Sequence, residues 1–404
     1  MVDIVRFGVV GCGLIAHLAH LPSLRSIPAV EIRAVCDADP HRMRLARDVF
    51  GVPTCTTDAL ELLALDTVDA VVVATDDVTH AEVVVAALEA GKHVFVEKPL
   101  CLSLAEAKLV RSAEDAAGRV VAVGYQRVHD AASQWLRQRI PAEPPMTIWA
   151  RNQCHDNMLV IAETAPAYLL DEAFRRGAGA VPGTGTAVSG AGTGAVSGAG
   201  TGARDGRWQR LLDTELPRHG DRLSTVYRTF LNLACHDVSH VIHCFGEPSR
   251  VLFADFWNEQ FPSALVVYEL PGGGRWVLEM GQTERRWFDS ALTVTYPRQT
   301  LEIRWPSPFR PDGRTVAAVR ATVGPGAAYQ TSTFEAEAFP AYRRELAAFA
   351  TAVRDATAVR DATAVRDTMP PPGARPVSPL AASVSHAEAV LRWLVAALRW
   401  YEDA

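Results

Sequence analysis

The sequence predicts an α/β protein with two domains: a doubly wound parallel sheet over residues 1–125 and, over residues 126–404, an α/β domain with a large, mostly antiparallel open sheet. Three observations predict this fold. The 404 residues suffice for two or three domains. Before residue 126, short apolar runs alternate with helical patterns, which is typical of βαβ units. After residue 126, apolar runs follow one another with turn residues between them, which favours antiparallel strands.

Each element of the first domain follows from a local pattern. Apolar runs predict buried strands at residues 5–10, 30–36, 68–74, 94–97 and 120–124. Helices are predicted between them, at residues 16–27, 40–50, 81–90 and 103–117. Pro40 marks one helix start, and Ser103 with Glu106 forms a capping box at another.

The second domain is less regular. A helix is predicted at residues 131–139, a strand begins at 146–151, and sheet strands follow at 250–257, 264–270, 275–282, 290–296 and 300–305. Residues 177–206 contain AVSGAGTG twice and are predicted to form a flexible low-complexity loop. The apolar helix at residues 386–401 is predicted to pack near the first domain.

A tandem repeat interrupts the helical segment at residues 342–367. The hexapeptide ATAVRD occurs three times over residues 350–367. A step of six residues turns a helix by about 240°, so Val353, Val359 and Val365 cannot share one buried stripe. We therefore interpret residues 350–367 as a tandem insertion whose extra copies do not belong to the core.

The composition excludes several functional classes. The chain is 49% hydrophobic and 21% charged, with a net charge of −6, so no nucleic-acid-binding surface is expected. No apolar run reaches about 18 residues, so no membrane span is expected, and no signal peptide is evident. The seven scattered cysteines are typical of reduced thiols and favour a cytoplasmic location.

A dinucleotide fingerprint follows the first strand. It reads Gly11-Cys12-Gly13-Leu14-Ile15-Ala16, with alanine at the third glycine position, and a helix begins there. Such a turn brings the backbone close to a pyrophosphate at a helix N-terminus, as in Rossmann domains. Asp37 ends the second strand, where an acid binds ribose hydroxyls. Because no arginine follows Asp37 immediately, NAD is favoured and NADP is the alternative.

Three further segments identify a family. They are Thr75 to His80, the tripeptide Glu97-Lys98-Pro99, and Gly124-Tyr125-Gln126-Arg127. Through these segments, the fingerprint and His20 on the helix that follows it, the chain resembles the family of glucose–fructose oxidoreductase and inositol 2-dehydrogenase. One departure is Asp76, which replaces a proline of the family pattern.

The resemblance implies roles for these residues. Lys98 is expected at the junction of nicotinamide and substrate, where an ammonium stabilises a developing oxyanion. The peptide before Pro99 is cis in many members. Lysine occurs only at positions 92, 98 and 108, which adds weight to Lys98. The predicted cofactor-binding residues are Gly11, Cys12, Gly13, Leu14, Ile15, Asp37, Thr75, Asp76, His80, Glu97, Lys98 and Gln126.

A fourth motif lies in the second domain. Members of the family carry Asp-x-Gly-x-His-x-x-Asp on a helix, with the first Asp and the His as the catalytic pair. Here His236 matches the His, but Asn232, Ala234 and Ser239 replace the other three residues. Residues i and i+4 share a helical face. We therefore predict His236 as the acid/base, Lys98 as the residue that polarises the substrate oxygen, and Asn232 as a neutral orienting residue; the alternative for His236 is an ordinary core histidine.

A metal site on the same helix is a rival interpretation. Five cysteines and histidines lie within ten residues of its end: Cys235, His236, His240, His243 and Cys244. No Cys-x-x-Cys partner exists, and the family generally needs no metal, so none is predicted.

The predicted function is an NAD(P)-dependent oxidoreductase acting on a secondary alcohol or ketone of a sugar, cyclitol or amino-sugar-like substrate. The resemblance also implies a homodimer or homotetramer. Two alternatives stay open: an NAD-using enzyme with no net redox change, which oxidises transiently and then reduces again, and a non-catalytic NAD-binding regulator, which the loss of the acid at position 232 favours slightly.

Overall fold

The computed structural model describes most of the chain. The ranges described are residues 4–154, 160–161, 164–166, 169, 215–216, 221–258, 260–284, 287–323, 328–364 and 382–403, with backbone only at 221–225 and 359–364. The loop predicted at residues 177–206 lies outside them.

Six parallel strands form the first sheet. They are β1 Val5–Val10, β2 Val30–Cys36, β3 Thr54–Thr56, β4 Ala70–Val73, β5 His93–Glu97 and β6 Val121–Gly124. Their order is β3-β2-β1-β4-β5-β6, and every pairing is parallel. The order reverses between β1 and β4, so a ligand crevice is expected at their carboxyl ends.

Helices cover both faces of this sheet. They are α1 Leu21–Ser26, α2 Pro40–Phe50, α3 Ala59–Leu63, α4 His80–Glu89 and α5 Leu104–Ala117, and a π-turn, Ala16–His20, precedes α1. Asp39 caps α2 by accepting from His41 N at 2.8 Å, and Ser103 caps α5 by accepting from Glu106 N at 3.1 Å.

The second sheet has eight strands. They are β7 Thr147–Cys154, β8 Arg250–Trp257, β9 Ser263–Glu269, β10 Arg275–Gln282, β11 Asp289–Thr295, β12 Gln299–Trp305, β13 Arg314–Thr322 and β14 Tyr329–Glu337. The order is β14-β13-β12-β11-β7-β10-β9-β8, antiparallel except where β7 and β10 pair in parallel. The predicted fold class, a Rossmann sheet followed by a large, mostly antiparallel sheet, is confirmed.

Four further helices, three of them long, follow β6 along the chain. They are α6 Ala131–Arg137, α7 Asp221–Phe245, α8 Pro340–Ala364 and α9 Val384–Asp403. Phe230 of α7 packs on Phe256 of the second sheet, with ring centroids 5.0 Å apart. Phe349 of α8 contacts Phe7 and Phe95 of the first sheet at 5.9 and 5.8 Å. The segment entering α9 lies beside β6, because Val123 N donates to Ala382 O at 2.9 Å.

Four elements and one helix detail depart from the sequence prediction. The pattern missed β3 and α3, which have only three and five residues, and also β13 and β14. Most residues of β14 are exposed, so it carries no apolar alternation. The helix predicted over residues 16–27 contains the π-turn, which no local pattern indicates. Among the described helices, none is both long and apolar enough to cross a membrane.

The copies of the tandem repeat differ in burial. In the first copy, Ala350, Ala352 and Val353 are buried in the core beside β1 and β5. In the second copy, Thr357 and Ala358 are exposed. Most of the third copy lies outside the described ranges.

Candidate active site

A cavity opens between the two domains at the carboxyl ends of β1 and β5. Its lining residues are Ile15, Glu97, Lys98, Gln126, Arg127, Asp130, Asn152, Cys154, Asn232, Leu233, His236, Phe288, Trp305, Pro306, Pro308, Phe309, Ala338, Phe339, Ala341 and Tyr342. Six predicted site residues are among them: Ile15, Glu97, Lys98, Gln126, Asn232 and His236. The other predicted cofactor residues follow the carboxyl ends of β1, β2 and β4: Gly11, Cys12, Gly13, Leu14, Asp37, Thr75, Asp76 and His80.

The fingerprint turn has the close backbone approach that a dinucleotide site needs. Gly11 adopts φ of +97°, and a Cβ there would lie 2.4 Å from Ala74 O. Only glycine fits this position. A helical segment begins immediately after Gly13, at Leu14. The turn therefore fits a pyrophosphate held at a helix N-terminus.

Asp37 is anchored to this turn. Its carboxylate accepts from Cys12 N and from Asp39 N, both at 2.8 Å. Burial raises the pKa of Asp37, and these backbone hydrogen bonds oppose the rise. Each carboxylate oxygen keeps further acceptor capacity, so Asp37 fits the ribose-binding role. The positive charge of the buried Arg42, five residues further along the chain, interacts with the Asp37 carboxylate. This interaction was not predicted from the sequence.

His80 ties the loop after β4 to the end of β5. Its Nδ1 lies 2.7 Å from Pro99 O, and its Nε2 lies 3.1 Å from Thr75 O. Asp76 accepts from Val78 N at 3.3 Å and starts the turn that leads into α4. The Lys98–Pro99 peptide is cis. The loop after β4 is thus linked, through His80 and the carbonyl oxygen of Pro99, to the residue that follows Lys98.

Glu97 is held from two sides beneath the cavity. His20 Nε2 lies 2.7 Å from Glu97 Oε1, and Lys98 N donates to Glu97 Oε2 at 3.0 Å. Burial by itself would raise the pKa of Glu97. The hydrogen bond and charge of His20, with the charge of Lys98, outweigh burial and lower that pKa below its usual value. The π-turn places His20 for this contact, and π-turns are frequent at functional sites.

Lys98 meets the second domain through Asn232. Lys98 Nζ donates to Asn232 Oδ1 and to Asn232 O, both at 3.3 Å. Asn232 Nδ2 donates in turn to Asp77 Oδ2 at 3.0 Å. The site thus joins the end of β5, the loop after β4 and helix α7.

His236 lies one helical turn beyond Asn232 on α7 and lines the same cavity. Among the residues in the structure, its Nδ1 has no hydrogen-bond partner. Burial, followed by the charges of Lys98 and Arg127, lowers the pKa of His236 well below 6.5. The ring is therefore neutral near pH 7 and able to accept a proton.

A buried ion pair that the sequence prediction did not assign forms the back of the cavity. Arg127 donates to Asp237 Oδ1 at 2.7 Å and to Ser290 Oγ at 2.9 Å, and it lies 4.5 Å from the centroid of Trp305. Asn152 Nδ2 donates to Asp237 Oδ2 at 2.8 Å. Arg127 stands in the quoted Gly-Tyr-x-Arg segment, which was the available signal.

The aromatic wall had no signal in the sequence. Its members come from separate elements and only meet in the fold: Phe288, Trp305, Phe309, Phe339 and Tyr342. The residues of the rival metal interpretation serve other contacts. His240 packs on Trp305 with ring centroids 5.0 Å apart, and within the described ranges no group of three or more His, Cys, Asp or Glu is placed to hold a metal ion.

The first domain matches a known family. Residues 5–125 match the model of the GFO_IDH_MocA oxidoreductase family, described as an NAD-binding Rossmann fold. The resemblance seen in the motifs is thereby confirmed over residues 5–125.

Curated relatives match about a third of the chain. Inositol 2-dehydrogenase 3 of Saccharopolyspora erythraea is 38% identical over 141 residues, which are 34% of this chain and 41% of that protein. The scyllo-inositol 2-dehydrogenase (NAD(+)) of Bacillus subtilis is 34% identical over 141 residues, which are 34% of this chain and 40% of that protein. The chain thus matches less than half the length of these GFO_IDH_MocA relatives.

Solved structures match nearly the whole chain. The 3-ketoreductase KijD10 from Actinomadura kijaniata, in complex with NADP and TDP-benzene, has a TM-score of 0.64 at 17% identity and covers 98% of both chains. A dehydrogenase from Chromobacterium violaceum has a TM-score of 0.65 at 17% identity, covering 98% of this chain and 94% of that one. At such identities the similarity shows the two-domain fold.

Proposed function

We propose that the chain is an NAD(P)-dependent dehydrogenase or reductase that transfers a hydride between the nicotinamide and a secondary alcohol or ketone of a sugar, cyclitol or amino-sugar-like substrate. One observation carries the proposal: Lys98, Asn232 and His236 line a single cavity next to the dinucleotide turn of a GFO_IDH_MocA domain.

The proposed chemistry divides between two side chains. When bound, the nicotinamide supplies the hydride acceptor or donor. The ammonium of Lys98 donates a hydrogen bond to the substrate oxygen and stabilises negative charge there. The neutral imidazole of His236 takes the hydroxyl proton during oxidation and returns it during reduction. Asn232 holds Lys98 in place by accepting from its Nζ.

The names of the relatives support the substrate class but do not distinguish NAD from NADP. Both relatives described above are inositol 2-dehydrogenases, and the name of one includes NAD(+), whereas the structural neighbour KijD10 is a 3-ketoreductase in complex with NADP. Asp37 at the end of β2 supports NAD, because a carboxylate there repels a 2′-phosphate. NADP remains the alternative, and the buried Arg42 nearby is its best support.

Self-association and location complete the proposal. Trp149 is 48% exposed on the outer face of the second sheet, and Val277 is its partner in register on β10. The exposed Trp149 beside the half-buried Val277 supports a contact between copies, hence a homodimer or homotetramer. None of the seven cysteines forms a disulfide, which supports a cytoplasmic location.

A binding titration followed by a turnover panel tests the function. Purified protein is titrated with NADH and NADPH by fluorescence and then assayed at 340 nm with a panel of inositols and sugars. We expect binding of NADH and an absorbance change with at least one cyclitol or sugar. Failure to bind either nucleotide would refute the proposal. Retained cofactor without a net absorbance change would favour the non-redox alternative.

The three lysines provide a matched control. Lys98 is buried in the site, whereas Lys108 is exposed on α5. We expect K98A to lose turnover by at least about a hundredfold, because the oxyanion donor is gone, and K108A to retain it. Equal activity of the two variants would contradict the role of Lys98.

A further inference from the structure

A carboxylate that the predicted site does not include is linked to Lys98 through an amide. Asp77 Oδ2 accepts from Asn232 Nδ2 at 3.0 Å, and Asn232 Oδ1 accepts from Lys98 Nζ at 3.3 Å. Asp77 is only 4% exposed, and its Oδ1 has no partner in the part of the chain that the structure covers. A buried carboxylate with so few hydrogen bonds is costly, so a role for it is expected.

The two contacts of Asn232 fix how its amide is turned. An ammonium only donates hydrogen bonds and a carboxylate only accepts them. The amide oxygen must therefore face Lys98, and the amide nitrogen must face Asp77. A carboxylate at position 232 could not donate to Asp77 and would place two acidic groups about 3 Å apart. Positions 77 and 232 thus match each other as a carboxylate and an amide.

The Lys98 ammonium has no direct counter-ion. Among the residues that the structure places, no carboxylate forms an ion pair with Lys98 within 4.0 Å. Glu97 is nearby, but its two oxygens already accept from His20 and from the Lys98 backbone N–H. Asn232 is therefore the side chain that holds the ammonium by a hydrogen bond, whereas Glu97 acts on it through charge alone.

We propose that Asp77 is a positioning residue that, through the amide of Asn232, holds the Lys98 ammonium in place at the cavity. Asp77 lies in the loop after β4 of the first domain, and Asn232 lies on α7 of the second. The same contact therefore links the two domains at the site. The catalytic meaning of this link rests on the proposed function, whereas the link itself can be measured without any substrate.

The scarcity of lysine makes the measurement direct. With selective ¹³C and ¹⁵N labelling of lysine, NMR shows only Lys92, Lys98 and Lys108, and K98R assigns the Lys98 signal. In D77N we expect the Lys98 side-chain signals to shift at pH 7, because a hydrogen bond from Asn232 to a neutral amide is weaker than one to a carboxylate and holds the ammonium less firmly. The signals of Lys92 and Lys108 serve as internal controls. The other ionisable groups on which the Lys98 charge acts, Glu97, His236 and Cys235, are unchanged.

A reciprocal exchange separates this role from a merely structural one. D77N/N232D places the carboxylate directly against Lys98 and the amide on the loop. A charge-assisted contact is thereby restored, and the Lys98 signals should move back towards their parent positions. N232D alone brings two carboxylates together, and we expect it to be less stable than the exchange variant. Where a substrate is found, kcat should fall about tenfold in D77N with little change in KM and recover in the exchange variant.

The outcomes distinguish the two proposals. Lys98 signals at the same positions in D77N and the parent, or signals that the exchange fails to restore, would overturn the role of Asp77. Should D77N not fold, N232A breaks the link from the other side and should also move the Lys98 signals from their parent positions. A restored signal with no turnover on any panel substrate would support the link and refute the proposed function instead.

Discussion

At the scale of single residues, the role proposed for His236 depends on the charge state of its ring. Burial and the charges of Lys98 and Arg127 lower its pKa well below 6.5. The ring is therefore neutral, and able to accept a proton, at pH values where a free histidine is charged. For alcohol oxidation we predict that log(kcat/KM) shows no break near pH 6.5. Its decrease on the acidic side should begin at a lower pH.

A substitution tests the same residue. H236Q keeps a polar side chain but removes the proton acceptor, so kcat for oxidation should fall by about 10²–10⁴ while NADH binding is retained. Wild-type activity in H236Q, or an acidic limb at pH 6.5 in the parent protein, would contradict the assignment.

Glu345 is a second residue whose environment makes a measurable prediction. It is buried on α8, and neither carboxyl oxygen has a partner in the described part of the chain. Burial, followed by the charge of Glu97, raises the pKa of Glu345 well above 4.5. A raised pKa in the folded state means that this group favours folding below about pH 4.5 and that this contribution is lost as pH rises.

E345Q removes the titration and should show the difference. Its advantage over the parent in urea unfolding should grow by up to about 1.4 kcal/mol per pH unit above pH 4.5. E337Q, at an exposed position of β14, is the control and should show no such trend. A constant difference between E345Q and the parent from pH 5 to 8 would count against a protonated Glu345.

At the scale of elements, the tandem repeat of α8 offers an internal comparison. Ala352 in the first copy is 5% exposed and packs in the core, whereas Ala358 occupies the same place in the second copy and is exposed. A352N should therefore cost about 2 kcal/mol or more by burying an amide. A358N should cost only about 0.5 kcal/mol of helix propensity.

Urea unfolding of the two variants checks this prediction. Both substitutions have the same chemistry in the same hexapeptide, so only the surroundings differ. Equal losses would mean that the first copy does not pack as the structure has it.

The elements also explain what a sequence alone can predict. The central strands are buried on both faces, so β1 and β4 appear as continuous apolar runs. β14 carries mostly exposed residues and offers no such pattern. Lys98 and His236 were predictable because each stands in a local motif. The aromatic wall was not, because residues such as Phe288 and Tyr342 are brought together only by the packing of α8 and β11 across the domain boundary.

At the scale of the whole molecule, the domains meet around histidines that must stay neutral. Ser239 of α7 contacts His386 of α9 at 2.9 Å, and the rings of His243 and His386 are 6.3 Å apart. His129 lies in the segment that follows β6 and is influenced by His243. Protonation of these rings would place like charges between packed elements.

Acid should therefore weaken the molecule well above the pH range, near 4, in which ordinary carboxylates become protonated. Burial is the main cause that lowers the pKa of His17, His129, His243 and His386 to about 4 and that of His240 to about 3. In the unfolded chain these rings titrate near 6.5. Lowered pKa values favour folding above pH 6.5, and this contribution is lost as pH falls through 6.5 towards 4.

The expected result is a steep loss of stability between pH 6.5 and 4. Each of these histidines contributes a slope of up to about 1.4 kcal/mol per pH unit, so the urea midpoint should fall clearly from pH 7 to pH 5. H386Q keeps a hydrogen-bonding group beside Ser239 but removes one titrating ring, and its pH dependence should be shallower by about one proton. A midpoint that stays flat over this range would mean that the rings are hydrated or paired in solution.

Glu345 changes the free energy of unfolding in the opposite direction, because its contribution is lost as pH rises. The buried histidines and Glu345 together therefore set the pH of maximum stability. E345Q should move that maximum to higher pH, and H386Q should widen it towards acid.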